Sequence, residues 1–169
     1  SLTITDPDGA REMIHKLSDF MRYSLRHNDH SLLPLRDELE SMHRYLDIEK
    51  VRFGSRLESE IHAEATLLDL QVPAMILQPI YENAVKHGVY ESIEPVHIRT
   101  YCRLHQGMLE ISVINNYDPE ALPRKGEGVG LENIRQRMRL LFQSDGLFQV
   151  SRENNHFEAT LRIPQTTLA

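Results

Sequence analysis

Apolar residues recur at helical spacing through the first third of the chain. Behind the acidic turn at Asp6–Gly9, steps of three and four residues form one stripe of Ala10, Ile14, Leu17, Met21 and Leu25. A second stripe follows Pro34 and ends at Gly54; it contains Leu35, Leu39, Met42 and Leu46. Because residues three or four apart share one face of an α-helix, these stripes predict two amphipathic helices.

The spacing changes to two after Gly54. Alternation through Leu57, Ile61, Ala63 and Ala65 predicts a strand, and Pro73 is expected to open a third helix. A hairpin is predicted around Gln106-Gly107, with alternating residues Val96, Ile98, Thr100, Cys102 and Leu104 before it and Leu109, Ile111 and Val113 after it. A helix over 129–142 and strands over 147–151 and 157–163 complete the pattern. This mixed order predicts an α+β fold, a two-layer α/β sandwich with a mixed, mostly antiparallel sheet against helices, preceded by an N-terminal helix.

Composition and charge argue against several classes of protein. The chain has 169 residues and a formal charge of −6, and its longest Lys/Arg run has two residues, so we expect no nucleic-acid surface. Cys102 is the only cysteine, which excludes an internal disulfide and suits a reducing compartment. No apolar run approaches the roughly 20 residues of a membrane span, so this piece is expected to make no membrane contact. A start at Ser1 without Met is what we expect of a piece of a longer protein.

The predicted third helix has two different sides. Its packing side contains Ile76, Leu77, Ile80, Tyr81, Ala84 and Val85, and its polar side contains Gln78, Glu82, Asn83, Lys86 and His87. The polar side suits a nucleotide phosphate with magnesium: Asn83 offers a neutral oxygen to Mg²⁺, Lys86 and His87 offset phosphate charge, and Glu82 can hold a proton. The alternative is a solvated face with a Glu82–Lys86 pair at i, i+4, which spacing alone favours.

Four sequence blocks carry a family resemblance. Residues 77–88, LQPIYENAVKHG, resemble the N box of the GHKL ATPase superfamily in the form used by LytS-type sensor histidine kinases. Residues 17–25 (LSDFMRYSL), 45–53 (YLDIEKVRF) and 128–137 (GVGLENIRQR) resemble three further blocks of that family. The blocks follow the family's order and span nearly the whole chain.

The resemblance implies a Bergerat ATP-binding fold that uses ATP and Mg²⁺. It makes Asn83 the metal ligand and Glu82 the candidate base, with Lys86 completing the catalytic set and His87 near the phosphates. Gly126, Gly128, Gly130 and Leu131 would belong to the lid over the nucleotide, where glycine lets backbone N–H groups approach phosphate. Without the N box, such glycines indicate a plain turn.

The adenine side departs from the family's pattern. Relatives carry an Asp-x-Gly-x-Gly box, whereas the matching stretch of this chain is Asn115-Asn116-Tyr117-Asp118-Pro119, without either glycine. Asn115 is in phase with the apolar residues of its strand, so it should face the pocket, where its oxygen can still accept from the adenine amine. His156-Phe157 also replaces the Gly-Thr found near the last strand of many relatives.

The phosphoacceptor histidine of the family lies in a PHFxxN-like box that this sequence does not contain. His15 does not match that context and is interpreted as surface or interface, while His27 and His30 are interpreted as parts of a solvated turn rather than metal ligands. We expect residues 1–32 to be the second helix of an incomplete dimerisation hairpin and 33–169 to be the catalytic domain. Autophosphorylation is not expected, and the stripe on the first helix is expected to be a dimer interface.

Three functions compete. The leading hypothesis is the ATP-binding catalytic module of a two-component kinase, which transfers phosphate to an upstream histidine for relay to a response regulator. It implies a cytoplasmic domain of a homodimeric protein in the bacterial inner membrane. The second is a degenerate, dimeric scaffold that binds nucleotide weakly or not at all. A serine-directed anti-sigma kinase ranks last because it shares the N box but not the blocks at 17–25 and 45–53.

Overall fold

The computed structural model describes residues 6–26, 31–89, 94–118 and 128–165. Within these ranges, the helices are α1 (Pro7–Arg26), α2 (Leu35–Phe53), α3 (Gln78–Val89) and α4 (Val129–Phe142). The strands are β1 (Leu32–Pro34), β2 (Leu57–His62), β3 (Gln71–Pro73), β4 (Val96–His105), β5 (Met108–Asn116), β6 (Phe148–Glu153) and β7 (His156–Pro164). Single 3₁₀ turns lie at Gly54–Arg56 and Ala65–Leu67.

Five strands form the main sheet in the order β2-β4-β5-β7-β6. The β2–β4 pair is parallel and the other neighbours are antiparallel. Helix α3 packs on β4 and β5, α2 contacts β2, and α4 contacts β6, so the apolar side of the sheet is covered by helices. The two-layer α+β sandwich with an N-terminal helix is therefore confirmed.

Glycine explains two of the predicted boundaries. Gly54 ends α2 with a φ of 57°, and its N–H bonds to the Lys50 carbonyl. Gln106 and Gly107 both have positive φ, 51° and 74°, as a tight two-residue hairpin turn requires. The β4–β5 hairpin is accordingly confirmed in place and register.

Two predicted boundaries were wrong. The first strand ends at His62, so Ala63 and Ala65 lie beyond it. Pro73 does not open α3 but ends β3, which pairs antiparallel with β1 in a separate two-stranded sheet. Both strands of that sheet have three residues, too few for alternation to show in the sequence. A turn over residues 74–77 then delays α3 until Gln78.

Gly88 lies inside α3, one residue before its end, and is buried. A Cβ atom there would lie 2.6 Å from Cγ1 of Val96, the first residue of β4. We expect Gly88→Ala to lower the free energy of unfolding by about 1–3 kcal/mol, because a stiff β-branched side chain would have to move. Urea denaturation measures the difference.

Gly130→Ala is the matched control for Gly88→Ala. A Cβ atom at Gly130 would lie 3.5 Å from Cβ of Pro79, an ordinary contact, so stability should stay equal or rise through helix propensity. Equal losses in the two variants would contradict the packing explanation.

Three residues of the α1 stripe face away from the rest of the described chain. Ile14, Leu17 and Met21 are 61%, 46% and 53% exposed, while the opposite side is joined to α2 through Lys16 Nζ and Asp47 Oδ2, 3.5 Å apart. His15 is exposed, in agreement with its surface interpretation. Residues 27–30, with His27 and His30, lie outside the described ranges. Among the described helices, none combines the length and apolar character of a membrane span.

Candidate functional site

The apolar side of α3 packs on the sheet and its polar side is exposed or partly exposed, as predicted. Ile80, Tyr81, Ala84 and Val85 are buried against the sheet. The Tyr81 hydroxyl shares a hydrogen bond with Thr100 Oγ1 on β4, which fixes the rotation of the helix about its axis. The polar side chains Gln78, Glu82, Asn83, Lys86 and His87 are exposed or partly exposed on the other side.

Two polar groups of this face bond to each other, and two others have no partner in the described part of the chain. Gln78 Nε2 donates to Glu82 Oε1 at 2.8 Å. Within the described ranges Lys86 has no ion-pair partner, and the Asn83 side chain makes no hydrogen bond. The Glu82–Lys86 pair of the alternative interpretation is therefore not formed, and an amide and an ammonium remain available to a ligand.

Asn115 supplies the second part of the site. It is 1% exposed and shares the helix-facing side of β5 with buried Val113. Its Nδ2 donates to the Asn116 carbonyl at 3.1 Å, whereas Oδ1 is buried without a donor in the described part of the chain. The internal bond orients the amide so that the oxygen is the free acceptor, which suits a ligand N–H and not a ligand carbonyl.

Asn116 and Tyr117 follow Asn115 and make fixed contacts, and Tyr117 stands at the first glycine position of the family's box. Asn116 Oδ1 accepts from the His97 N–H at 2.8 Å, and its Nδ2 donates to the Pro95 carbonyl at 2.9 Å. The Tyr117 N–H donates to the Asn155 carbonyl at 3.0 Å. These bonds tie the end of β5 to both neighbouring strands and keep Asn115 in place.

The start of α4 lies against the start of α3. Gly128 precedes α4 with a φ of 96°, a conformation that favours glycine, and its carbonyl accepts from the Glu132 N–H at 2.8 Å. Gly130 adjoins Pro79, and Leu131 is partly buried against the core. The helix N-terminus presents backbone N–H groups and favours an anion. Gly126 lies in 119–127, outside the described residues.

Two carboxylates were missed by sequence reasoning. Glu38 is fully buried in the apolar stripe of α2, three residues after Leu35 and four before Met42. Its position in phase with the apolar stripe could have revealed it, because a carboxylate buried in such a stripe needs hydrogen-bond donors from within the protein. Glu49 belongs to the block at 45–53, but spacing did not reveal its proximity to α3.

Glu49 on α2 lies close enough to Glu82 on α3 to be affected by its charge. Its side chain is 14% exposed, and Oε2 is 3.9 Å from Arg52 Nη1. Burial raises the pKa of Glu49, the Arg52 charge lowers it, and the Glu82 charge raises it, with a net upward direction. A second carboxylate therefore adds negative charge next to the polar face of α3.

Glu49→Gln should affect stability in a pH-dependent way. A pKa raised in the folded state makes ionisation costly, so stability is lost as pH rises from the unfolded to the folded pKa. The melting temperature of Glu49→Gln should equal or exceed that of the parent at pH 8, with the difference closing toward pH 4. Exposed Glu64→Gln is the control. A melting temperature below the parent's at pH 8 would show that the charged form is stabilising.

Comparison with known structures identifies the fold. The catalytic domain of histidine kinase ThkA superposes with a TM-score of 0.61 at 15% identity, over 80% of this chain and 95% of that one. ThkA in complex with the response regulator TrrA gives a TM-score of 0.54 at 16% identity, over 92% of this chain and 49% of that one. The chain thus has the fold of a GHKL-type histidine kinase catalytic domain.

Sequence comparison shows a narrower similarity within that fold. The profile described as Histidine kinase matches residues 1–57. The sensor protein LytS of Oceanobacillus iheyensis is 31% identical over 89% of the chain, and the sensor histidine kinase BtsS of Escherichia coli is 31% identical over 94%. Over most of its length the chain is thus similar to LytS-type sensor histidine kinases. It spans 28% of the length of each of these two relatives.

Proposed function

We propose that this chain is the ATP-binding catalytic module of a two-component sensor histidine kinase, with phosphate passing to a histidine outside residues 1–169. The observation that carries the proposal is the set of groups left without partners in the described ranges: the Asn83 amide, the Lys86 ammonium and the buried Asn115 Oδ1. The Asn83 amide and the Lys86 ammonium suit a metal-bound phosphate, and Asn115 Oδ1 suits the exocyclic amine of a nucleobase.

The phosphate side lies on α3. Asn83 would hold Mg²⁺ through its carbonyl oxygen, and Lys86 and His87 would offset phosphate charge; the ion, when bound, neutralises charge on the β- and γ-phosphates. Glu82 accepts the imidazole N–H proton as the nitrogen attacks. The bond from the γ-phosphorus to its bridging oxygen breaks, a phosphorus–nitrogen bond forms, and ADP leaves.

The nucleobase side lies at the end of β5. Asn115 Oδ1 accepts from the 6-amino group of adenine, and the amides of Gly128, Gly130 and Leu131 at the start of α4 are directed to the phosphates. Gly126 joins this lid in the proposal. Phe157, buried on β7 directly across from Asn115, provides an apolar neighbour where many relatives have threonine.

Asn115→Leu gives a test of the nucleobase assignment. Loss of one hydrogen bond should weaken ATP binding about tenfold. Inosine triphosphate has a carbonyl where adenine has the amine and makes no such bond, so its affinity should not fall in the variant. Calorimetric titration of the parent and the variant with both nucleotides measures this. An equal loss for both would mean that Asn115 shapes the pocket without contacting the amine.

The proposal extends to the whole protein. Residues 1–32 form part of a dimerisation hairpin, with the stripe of α1 at the interface, and 33–169 form the catalytic domain. The partner that receives the phosphate is a response regulator, a role supported by the ThkA–TrrA complex named above. The module works in the cytoplasm, and the complete protein resides in the bacterial inner membrane.

Transfer in trans tests the reaction. The chain is incubated with γ-labelled ATP, with or without a separate helical hairpin from the complete protein that carries its histidine. We expect acid-labile label on the hairpin and none on the chain alone. Acid-labile label on the chain alone would place the accepting histidine inside residues 1–169.

The scaffold function remains the second candidate, because the box at Asn115-Asn116-Tyr117 is altered: Asn116 and Tyr117 make internal bonds, and Tyr117 stands where relatives have a glycine. A scaffold would dimerise through α1 without needing nucleotide. Absence of nucleotide binding in a folded, dimeric chain would favour it.

A further inference from the structure

Glu38 occupies a position where an unpaired charge would be costly. It lies in the first turns of α2 with 0% exposure, surrounded by the apolar residues of its stripe. Burying a carboxylate is unfavourable unless donors replace its water. The donors it uses therefore indicate what the residue holds in place.

Those donors lie in the turn that leads into α3. The Met75 N–H donates to Oε2 at 3.0 Å, and the Leu77 N–H donates to Oε1 at 2.9 Å. The Leu77 carbonyl in turn accepts from the N–H groups of Ile80 and Tyr81 at 3.0 and 3.1 Å, so Leu77 caps the helix. A negative charge at a helix N-terminus is also favourable.

The turn depends on support from outside itself. Met75 has a φ of 59°, the left-handed region that a residue with a Cβ adopts only at a cost. The preceding residue, Ala74, donates its N–H to the Ser31 carbonyl at 2.9 Å, and the Leu35 N–H donates to the Leu70 carbonyl at 2.8 Å. Residues 31–38, which follow α1 in the chain, are thus bonded along their length to the segment that begins α3.

We propose that Glu38 is a positioning residue for the phosphate side of the site. Its carboxylate fixes where α3 begins. Because the helix is rigid, the position of Leu77 also determines the position of Asn83, which is six residues further along, or about 9 Å at 1.5 Å per residue. The Tyr81–Thr100 bond holds the same helix from the sheet side. The inference rests on the proposed function, because the consequence concerns the magnesium ligand Asn83.

Glu38→Gln keeps the size of the side chain and one carbonyl oxygen but directs an NH₂ group at a backbone N–H. We define the magnesium-dependent gain as the dissociation constant for ATP in EDTA divided by that in excess Mg²⁺. In Glu38→Gln this gain should fall about tenfold. Affinity for ATP in EDTA should change less than about twofold, since Asn115 and the α4 amides are not displaced.

Two controls separate positioning from general destabilisation. Glu40→Gln removes the same charge two residues away, where Glu40 is exposed and paired with Arg44. Ile163→Val trims the core at the far end of β7, six strand positions or about 20 Å from the register partner of Asn115. Both should keep the full magnesium-dependent gain below their melting temperatures.

Amide hydrogen exchange provides a readout that needs no nucleotide. In Glu38→Gln, the amides of Met75, Leu77 and the first turn of α3 should exchange at least about tenfold faster, while those of β5 and β7 should change in step with global stability. Ile163→Val should show no such localised effect. If the parent does not bind ATP, the proposed function fails and exchange alone decides the role of Glu38. A folded Glu38→Gln with unchanged α3 exchange, or with the full magnesium-dependent gain, overturns the inference.

Discussion

Replacing Asn83 with alanine is expected to lower the rate of phosphoryl transfer by at least about 10²-fold, because Mg²⁺ is held by very few protein ligands and one of them is removed. The fold should persist, since the Asn83 side chain is partly exposed and makes no hydrogen bond within the described ranges. The initial rate of label transfer from γ-labelled ATP to the histidine-bearing hairpin measures the effect.

Gln136→Ala is the matched control for Asn83→Ala, since it removes another amide from the exposed side of a helix. It should transfer phosphate at the parent rate. A rate for Asn83→Ala within threefold of the parent would contradict the assignment of Asn83 as the metal ligand.

Glu82→Gln is expected to lower kcat by about 10²–10⁴ while leaving KM for ATP nearly unchanged, because a proton acceptor acts in the transition state and not in nucleotide binding. The substitution preserves the carbonyl that accepts from Gln78, so the helix surface should be undisturbed. Steady-state transfer rates over a range of ATP concentrations separate the two constants.

Glu40→Gln on α2 controls for the change in charge and should have the parent kinetics. If Glu82→Gln raised KM and left kcat unchanged, Glu82 would act in binding, and the proton would pass to another acceptor. Glu49, which the Glu82 charge reaches across the α2–α3 contact, would then be the next carboxylate to substitute.

The long elements of the fold were predictable because each repeats its pattern several times. Helix α2 carries four apolar residues in phase, and the β4–β5 hairpin alternates on both sides of a Gln-Gly turn. Strands β1 and β3 have three residues each and become stable only by pairing with one another across 37 residues of chain, from Pro34 to Gln71. Local spacing contains no information on that pairing, and the start of α3 was misplaced for the same reason.

The polar face of α3 was predictable because helical geometry alone brings Glu82, Asn83 and Lys86 to one side. The placement of Asn115 on the helix-facing side also followed from the alternation of β5. The direction of its amide did not, since it depends on a bond to the Asn116 carbonyl. Likewise, Glu38 and Glu49 interact with residues 33 or more positions away, and only the folded chain reveals these interactions.

Calorimetric titration with ATP, in Mg²⁺ and in EDTA, tests the central claim most directly. The parent chain should bind one equivalent, more tightly with Mg²⁺, and Asn83→Ala should lose that magnesium-dependent gain while keeping the affinity measured in EDTA. A folded parent that binds no ATP under either condition would contradict the account and identify the chain as a scaffold.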